Sequence, residues 1–114
     1  MPSARLLLVA PDTDLRRSLA FALETEGYAV TTRDLPPSRA WLASNRFDCT
    51  ILDQKSLVGA DYEAIAFCIK AHPVVLLASK PHPWLVEWVA EIVDLPLAGN
   101  AVSAAVSHAM HVGA

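Results

Sequence analysis

Cys49-Thr50-Ile51-Leu52-Asp53 is an unbroken, largely apolar run that ends on a carboxylate, and its reading decides the fold. A continuous run of this length suits a strand covered on both faces, as in a parallel sheet, rather than one wetted on one side. Such a strand delivers Asp53 straight to a sheet edge, the placement of a reactive acid. Arg5 to Ala10 (RLLLVA) is a second run of the same kind. Between the two, a helix capped by Asp12 or Thr13 carries Leu15, Leu19 and Leu23, with Phe21 and Ala22, at helical spacing until Gly27 stops it. A strand at Tyr28 to Thr32 and a helix from about Pro36 to Asn45, opened by proline, lead into the Cys49 strand. Downstream, the pattern predicts a helix at Asp61 to Lys70, a strand at Val74 to Ala78 and a short helical piece at Pro83 to Val89. A strand at Ile92 to Leu95 and a last helix at Asn100 to His111 follow.

Strands alternating with helices require a parallel α/β sheet with right-handed crossovers and helices on both faces. Five strands in a small chain favour the flavodoxin-like, doubly wound order 2-1-3-4-5, in which functional groups collect at the carboxyl ends of the first and third strands. Asp53 lies at that switch point. The chain has 114 residues, a little over half of them hydrophobic, enough for one core and too few for two, so residues 1–114 are expected to form one domain.

Composition excludes several functions. A formal charge of -3 without a Lys/Arg cluster argues against a nucleic-acid surface. The apolar runs are strand-length, and the N-terminus lacks the pattern of a secretory signal, so a cytoplasmic protein with no membrane contact is expected. Cys49 and Cys68 lack CxxC spacing and His neighbours, and are expected to be reduced core residues. His72, His82, His108 and His111 form no metal pattern; His108 and His111 are i, i+3 without a third donor. Neither a P-loop, a GxGxxG, a nucleophile elbow nor a Cys-His arrangement is present, so no enzymatic activity is expected.

The stretch Arg46 to Asp53 resembles the strand that carries the phosphoacceptor aspartate in receiver domains of bacterial response regulators. LLLVAPDTDLRRSLAFALETEGYAV is similar to the family's first βαβ segment, and Pro73 to Ser79 to its fourth strand. The resemblance implies a signalling module of a two-component phosphorelay, with a histidine kinase and an output protein as partners and Asp53 as phosphoacceptor. Aligned position by position, it also implies an altered site. The two acidic residues that help to hold Mg²⁺ fall on Ala10 and Pro11, the hydroxyl of strand four on Ala78, the lysine after strand five on Leu95, and the aromatic switch residue on Ile92. Phosphoryl transfer to a carboxylate depends on neutralising charge. Opposite unit charges about 4 Å apart gain roughly 4 kcal/mol at an effective dielectric of about 20, so losing two metal ligands and a lysine removes several kcal/mol. The expectation is therefore a degenerate receiver, phosphorylated poorly or not at all, that needs no cofactor and acts through protein contacts. The alternative is a phosphorylatable receiver using Asp53 with an unusual cation arrangement.

Each site residue has two readings. Asp53 is a phosphoacceptor, or a relic carboxylate that bonds loop N–H groups or pairs with Lys55 or Lys80. Asp12 is a helix N-cap, or a substitute ligand that with Asp53 holds Mg²⁺ weakly. Lys55 returns a positive charge to Asp53, or is a solvated loop residue. Ser79 supplies the hydroxyl missing at Ala78 only if strand four slips by one residue, which would reverse its faces. Trp41 is expected to pack on the sheet.

Twelve acids and nine bases are unevenly spread: in residues 81–114 only Glu87, Glu91 and Asp94 are charged. Trp84 and Trp88, i and i+4 on the short helix, form one aromatic stripe that is either core or a docking site, and the last helix presents small uncharged residues such as Ala101 and Ala104 beside His108. Apolar, charge-poor patches with aromatic anchors mark protein interfaces. In receiver domains the corresponding face, built by the fourth helix, fifth strand and last helix, is a common dimerisation surface, so a homodimer through it is expected. Only sixteen residues separate Ala78 from Leu95, so the fourth helix must be short or partly unwound.

Overall fold

The structure, a computed structural model, describes residues 3–95 and 100–112. The chain runs β1 (Arg5–Val9), α1 (Thr13–Thr25), β2 (Ala29–Arg33), α2 (Arg39–Ser44), β3 (Cys49–Asp53), a 3₁₀ turn (Gln54–Ser56) and α3 (Asp61–Lys70). It continues through β4 (Val74–Leu77), a second 3₁₀ turn (Val86–Trp88), β5 (Glu91–Val93) and α4 (Ala101–Val112). All strand pairs are parallel, in the order β2-β1-β3-β4-β5, as the alternation predicts.

The apolar runs are central strands because both of their faces are covered. Leu6 and Leu8 of β1 and Cys49 and Ile51 of β3 point toward α1 and α4, where Leu19, Leu23, Val102, Val106 and Ala109 meet them. Leu7, Val9 and Leu52 point the other way, toward Leu42 of α2, Phe67 and Cys68 of α3, and Leu85. Cys49 and Cys68 are free thiols on opposite sides of the sheet. Burial pushes Cys49 up to about 12 and Cys68 to about 11.

Several boundaries differ from the sequence pattern for local reasons. Within α1, Leu15, Leu19 and Leu23 are the rungs that face the core, whereas Phe21 and Ala22 lie on the outer side and are exposed. Gly27 ends this region at φ +99, a conformation that only glycine adopts freely. Pro36 does not open α2. Ser38 does, its extended backbone and its hydroxyl, which accepts from the Trp41 N–H at 3.2 Å, making it the cap, and the two prolines lie before the helix. β5 starts and stops early, because its ladder with β4 runs only from Val75–Glu91 to Leu77–Val93. The predicted helix at Pro83 to Val89 is a turn at residues 83–85 followed by one 3₁₀ turn, so among the described residues four α-helices surround the sheet.

Candidate functional site

Asp53 is the last residue of β3 and is 2% exposed. One carboxylate oxygen accepts the Lys55 N–H at 3.0 Å, and the Asp53 carbonyl accepts the Ser56 hydroxyl at 2.8 Å. The acid therefore folds the chain back into the 3₁₀ turn that follows it, in the manner of an N-cap. Leu77 of β4 stands opposite Asp53, and Val9 opposite Leu52 brings Ala10 to the other side. Among the described residues neither Lys55 nor Lys80 forms an ion pair with Asp53, and both lysines are exposed.

At the end of β1, Ala10 is fully buried and Pro11 is exposed. Asp12 is the N-cap of α1, its Oδ1 accepting the Leu15 N–H at 2.9 Å. The carbonyls of Ala10 and Pro11 are covered by the Arg16 guanidinium, whose Nη1 lies 2.7 and 3.4 Å from them. The Ala10 N–H donates to the Arg33 carbonyl of β2. The sequence reading passed over Arg16; its place one turn into α1 is the only signal there was.

Ala78 is buried and donates its N–H to the Val93 carbonyl at 3.1 Å, so β4 has not slipped, and Ser79 stays exposed beyond it. Leu95 is half-buried against the core of the α1/α4 face. Pro96, the neighbour that set its alignment, lies outside the described residues. Among the described residues no three His, Cys, Asp or Glu side chains gather where a metal ion could be held.

Gln54, the residue after the acid, was also missed. Its amide nitrogen donates to the Lys80 carbonyl at 3.0 Å and its amide oxygen accepts the His82 N–H at 2.9 Å. The turn after β3 is thereby tied to the chain after β4. His82 stacks on Trp84 with ring centroids 5.1 Å apart and planes 9° from parallel.

The two tryptophans do not form one stripe, because the segment holding them is not an α-helix. Trp84 is half-buried against the α2/α3 core, beside the fully buried Leu85. Trp88 is 39% exposed, with Val86 and Ile92 similarly open. Ile92 faces away from α4, since its neighbour Val93 enters the α4 core and Glu91 reaches His108 of α4 at 3.0 Å. Ala101 is half-buried, and Ala104 and His108 are exposed. His111 bonds the Ser107 carbonyl, and His72 that of Ile69. Trp41 packs at the rim of the α2/α3 core, stacked on Phe47 and beneath the Arg33 guanidinium. No helix among the described residues is long and apolar enough to cross a membrane.

No family model matches the chain, and no curated protein matches it. Solved structures do. The chemotaxis protein CheY4 of Vibrio cholerae is 20% identical, with 94% of this chain covering 98% of that one at a TM-score of 0.76. A response regulator receiver domain protein from Clostridium thermocellum is 21% identical, with 96% of each chain covered and a TM-score of 0.74. Full-length FixJ from B. japonicum is 19% identical over 97% of this chain and 59% of its own length, again at 0.74. At such identities the likeness is one of fold: the five-stranded parallel sheet in 2-1-3-4-5 order, with helices on both faces, is the architecture of response regulator receiver domains.

Proposed function

We propose that this chain is a cytoplasmic, non-enzymatic receiver-like signalling domain that works mainly through protein contacts, with Mg²⁺-dependent phosphorylation of Asp53 impaired or lost. The observation that carries this reading is the set of groups around Asp53. Positions 10 and 11 bring only main-chain carbonyls, and the Arg16 guanidinium already bonds these. The nearby carboxylate, Asp12, caps α1, and Asp53 itself caps the turn at Lys55. Mg²⁺ needs near-octahedral oxygen ligands and sheds its water reluctantly. The residues present do not fit a firm site for it. Ala78 and Leu95 offer a phosphoryl group neither a hydroxyl nor a cation.

The contact surface follows from the shortened link before β5. Trp88, Val86 and Ile92 are open on one side of this edge strand, and His108 with Ala104 flanks the other. We assign to this surface a homodimer or an output partner. Treatment with a small phosphodonor and Mg²⁺, followed by intact mass measurement, tests the reading. The expected result is no gain of a phosphoryl group, whereas a gain that disappears in Asp53→Asn establishes a phosphorylatable receiver instead. Light scattering of the eluted protein is expected to give a mass above the monomer that falls in Trp88→Ala.

A further inference from the structure

We infer that the groove between α2 and α3 is a second docking surface, shaped for an acidic amphipathic segment of a partner protein. It lies on the layer opposite α1 and α4, and the inference holds however Asp53 is used. α2 has six residues and α3 ten, and the two leave three cavities in a row, of about 200, 320 and 500 Å³. The first and second share Glu63 and Phe67, and the second and third share Leu42 and Lys70, so the cavities adjoin one another in a trough along the two helices.

Its charge changes along its length. The first cavity is apolar, with Leu35 and Val58 at the mouth; Val58 is 81% exposed, an unusual cost for a β-branched side chain facing only water. The cations gather in the other two, the second of which keeps an apolar lining and shares Glu63 with the first. Arg39 and Lys70 line the second cavity, and Arg46, Lys70 and His72 the third. Glu63 is the one acid lining the trough, and its carboxylate is turned against Gly59, at the apolar end, into space that a Cβ there would need. Among the described residues Arg39, Arg46 and Lys70 make no ion pair.

A chain of net negative charge that keeps unpaired cations along an apolar trough is complementary to an occupant with carboxylates beside an apolar anchor. A helix laid in a groove, with its apolar side chains inward and acids along the rim, has that pattern. Docking of a second copy through α4 does not match, because α4 carries no carboxylate. A nucleic acid would have to lay phosphates over Glu63 and the apolar third.

Selection of displayed random peptides of about 12 residues, roughly three helical turns, tests this on the intact chain. The expected binders carry several Asp or Glu beside an apolar anchor, bind more weakly in high salt, and lose about tenfold or more in affinity to Arg39→Glu/Lys70→Glu. Val58→Asp should weaken them from the other end. The altered residues are exposed, and Arg39→Gln/Lys70→Gln serves if the reversal disturbs thermal unfolding. Failure to enrich any peptide, binders that are basic, or equal affinity for the variants overturns the inference. So does competition by a single-stranded RNA of the same length, or self-association abolished by the double reversal.

Discussion

Replacing Asp53 by alanine separates an acid that holds the fold from one kept for chemistry. In the structure the carboxylate accepts the Lys55 N–H at 3.0 Å from a site that is 2% exposed. Alanine removes this acceptor and leaves a part-buried donor without a partner. Loss of such a cap costs about 1–2 kcal/mol. In a chain of this length each kcal/mol moves Tm by roughly 3–6 °C, so thermal unfolding followed by circular dichroism should show a fall of about 3–12 °C. Asparagine keeps an oxygen in place and should cost less than about 1 kcal/mol. An Asp53→Ala protein as stable as the parent, or more stable, refutes the reasoning. A buried acid whose removal stabilises the fold is one retained against stability for a reaction, as active-site residues often are.

Other perturbations probe the elements around the site. Gln54→Ala removes two hydrogen bonds and should cost about 1–2 kcal/mol, with faster hydrogen exchange at the His82 amide and little change at Lys55. Gly27→Ala forces a Cβ onto φ +99 with nothing within 4 Å of it, so the cost is purely conformational, about 1–2 kcal/mol in urea unfolding. Burial raises the Cys49 thiol from 9.0 to about 12 and the Cys68 thiol to about 11, so the unfolded chain loses these protons first. Stability from this source is complete below pH 9.0, falls as the pH rises toward 12, and is read from the urea midpoint; both thiols should also resist alkylation in the folded protein.

The legible parts of this molecule are those set by periodicity and by close neighbours. The runs at Arg5 to Ala10 and Cys49 to Leu52 announced strands buried on both faces, and both strands form there, the first ending one residue early at Val9; of the two cap candidates, Asp12 and Thr13, Asp12 is the cap. The alternation of elements then left little freedom in the sheet order. What escaped the sequence depends on contacts that local patterns do not encode. Gln54 meets Lys80 and His82 across 26 and 28 residues, and no spacing rule signals that a loop amide will bridge two strand ends. Trp84 and Trp88 looked like a helical pair, but Leu85 is drawn fully into the α2/α3 core and leaves room for only one 3₁₀ turn before β5. Helical spacing carried no information once the helix was absent.

The segment from Lys80 to Trp88 also bears on how a message could pass through this fold. Moving it requires breaking the two Gln54 bonds, about 1–2 kcal/mol, and withdrawing Leu85 from a fully buried site, about 2–3 kcal/mol more. The sum approaches the roughly 5.5 kcal/mol that reverses a two-state population from 1:99 to 99:1. A modification at Asp53 can shift that balance only through contacts that differ between the two states. Under the proposed reading, alanine at 78 and leucine at 95 offer a phosphoryl group there neither a hydroxyl nor a cation. Under the proposed reading the segment therefore stays in one position, and Trp88, Val86 and Ile92 present a constant surface whose occupancy is set by the concentration of the partner.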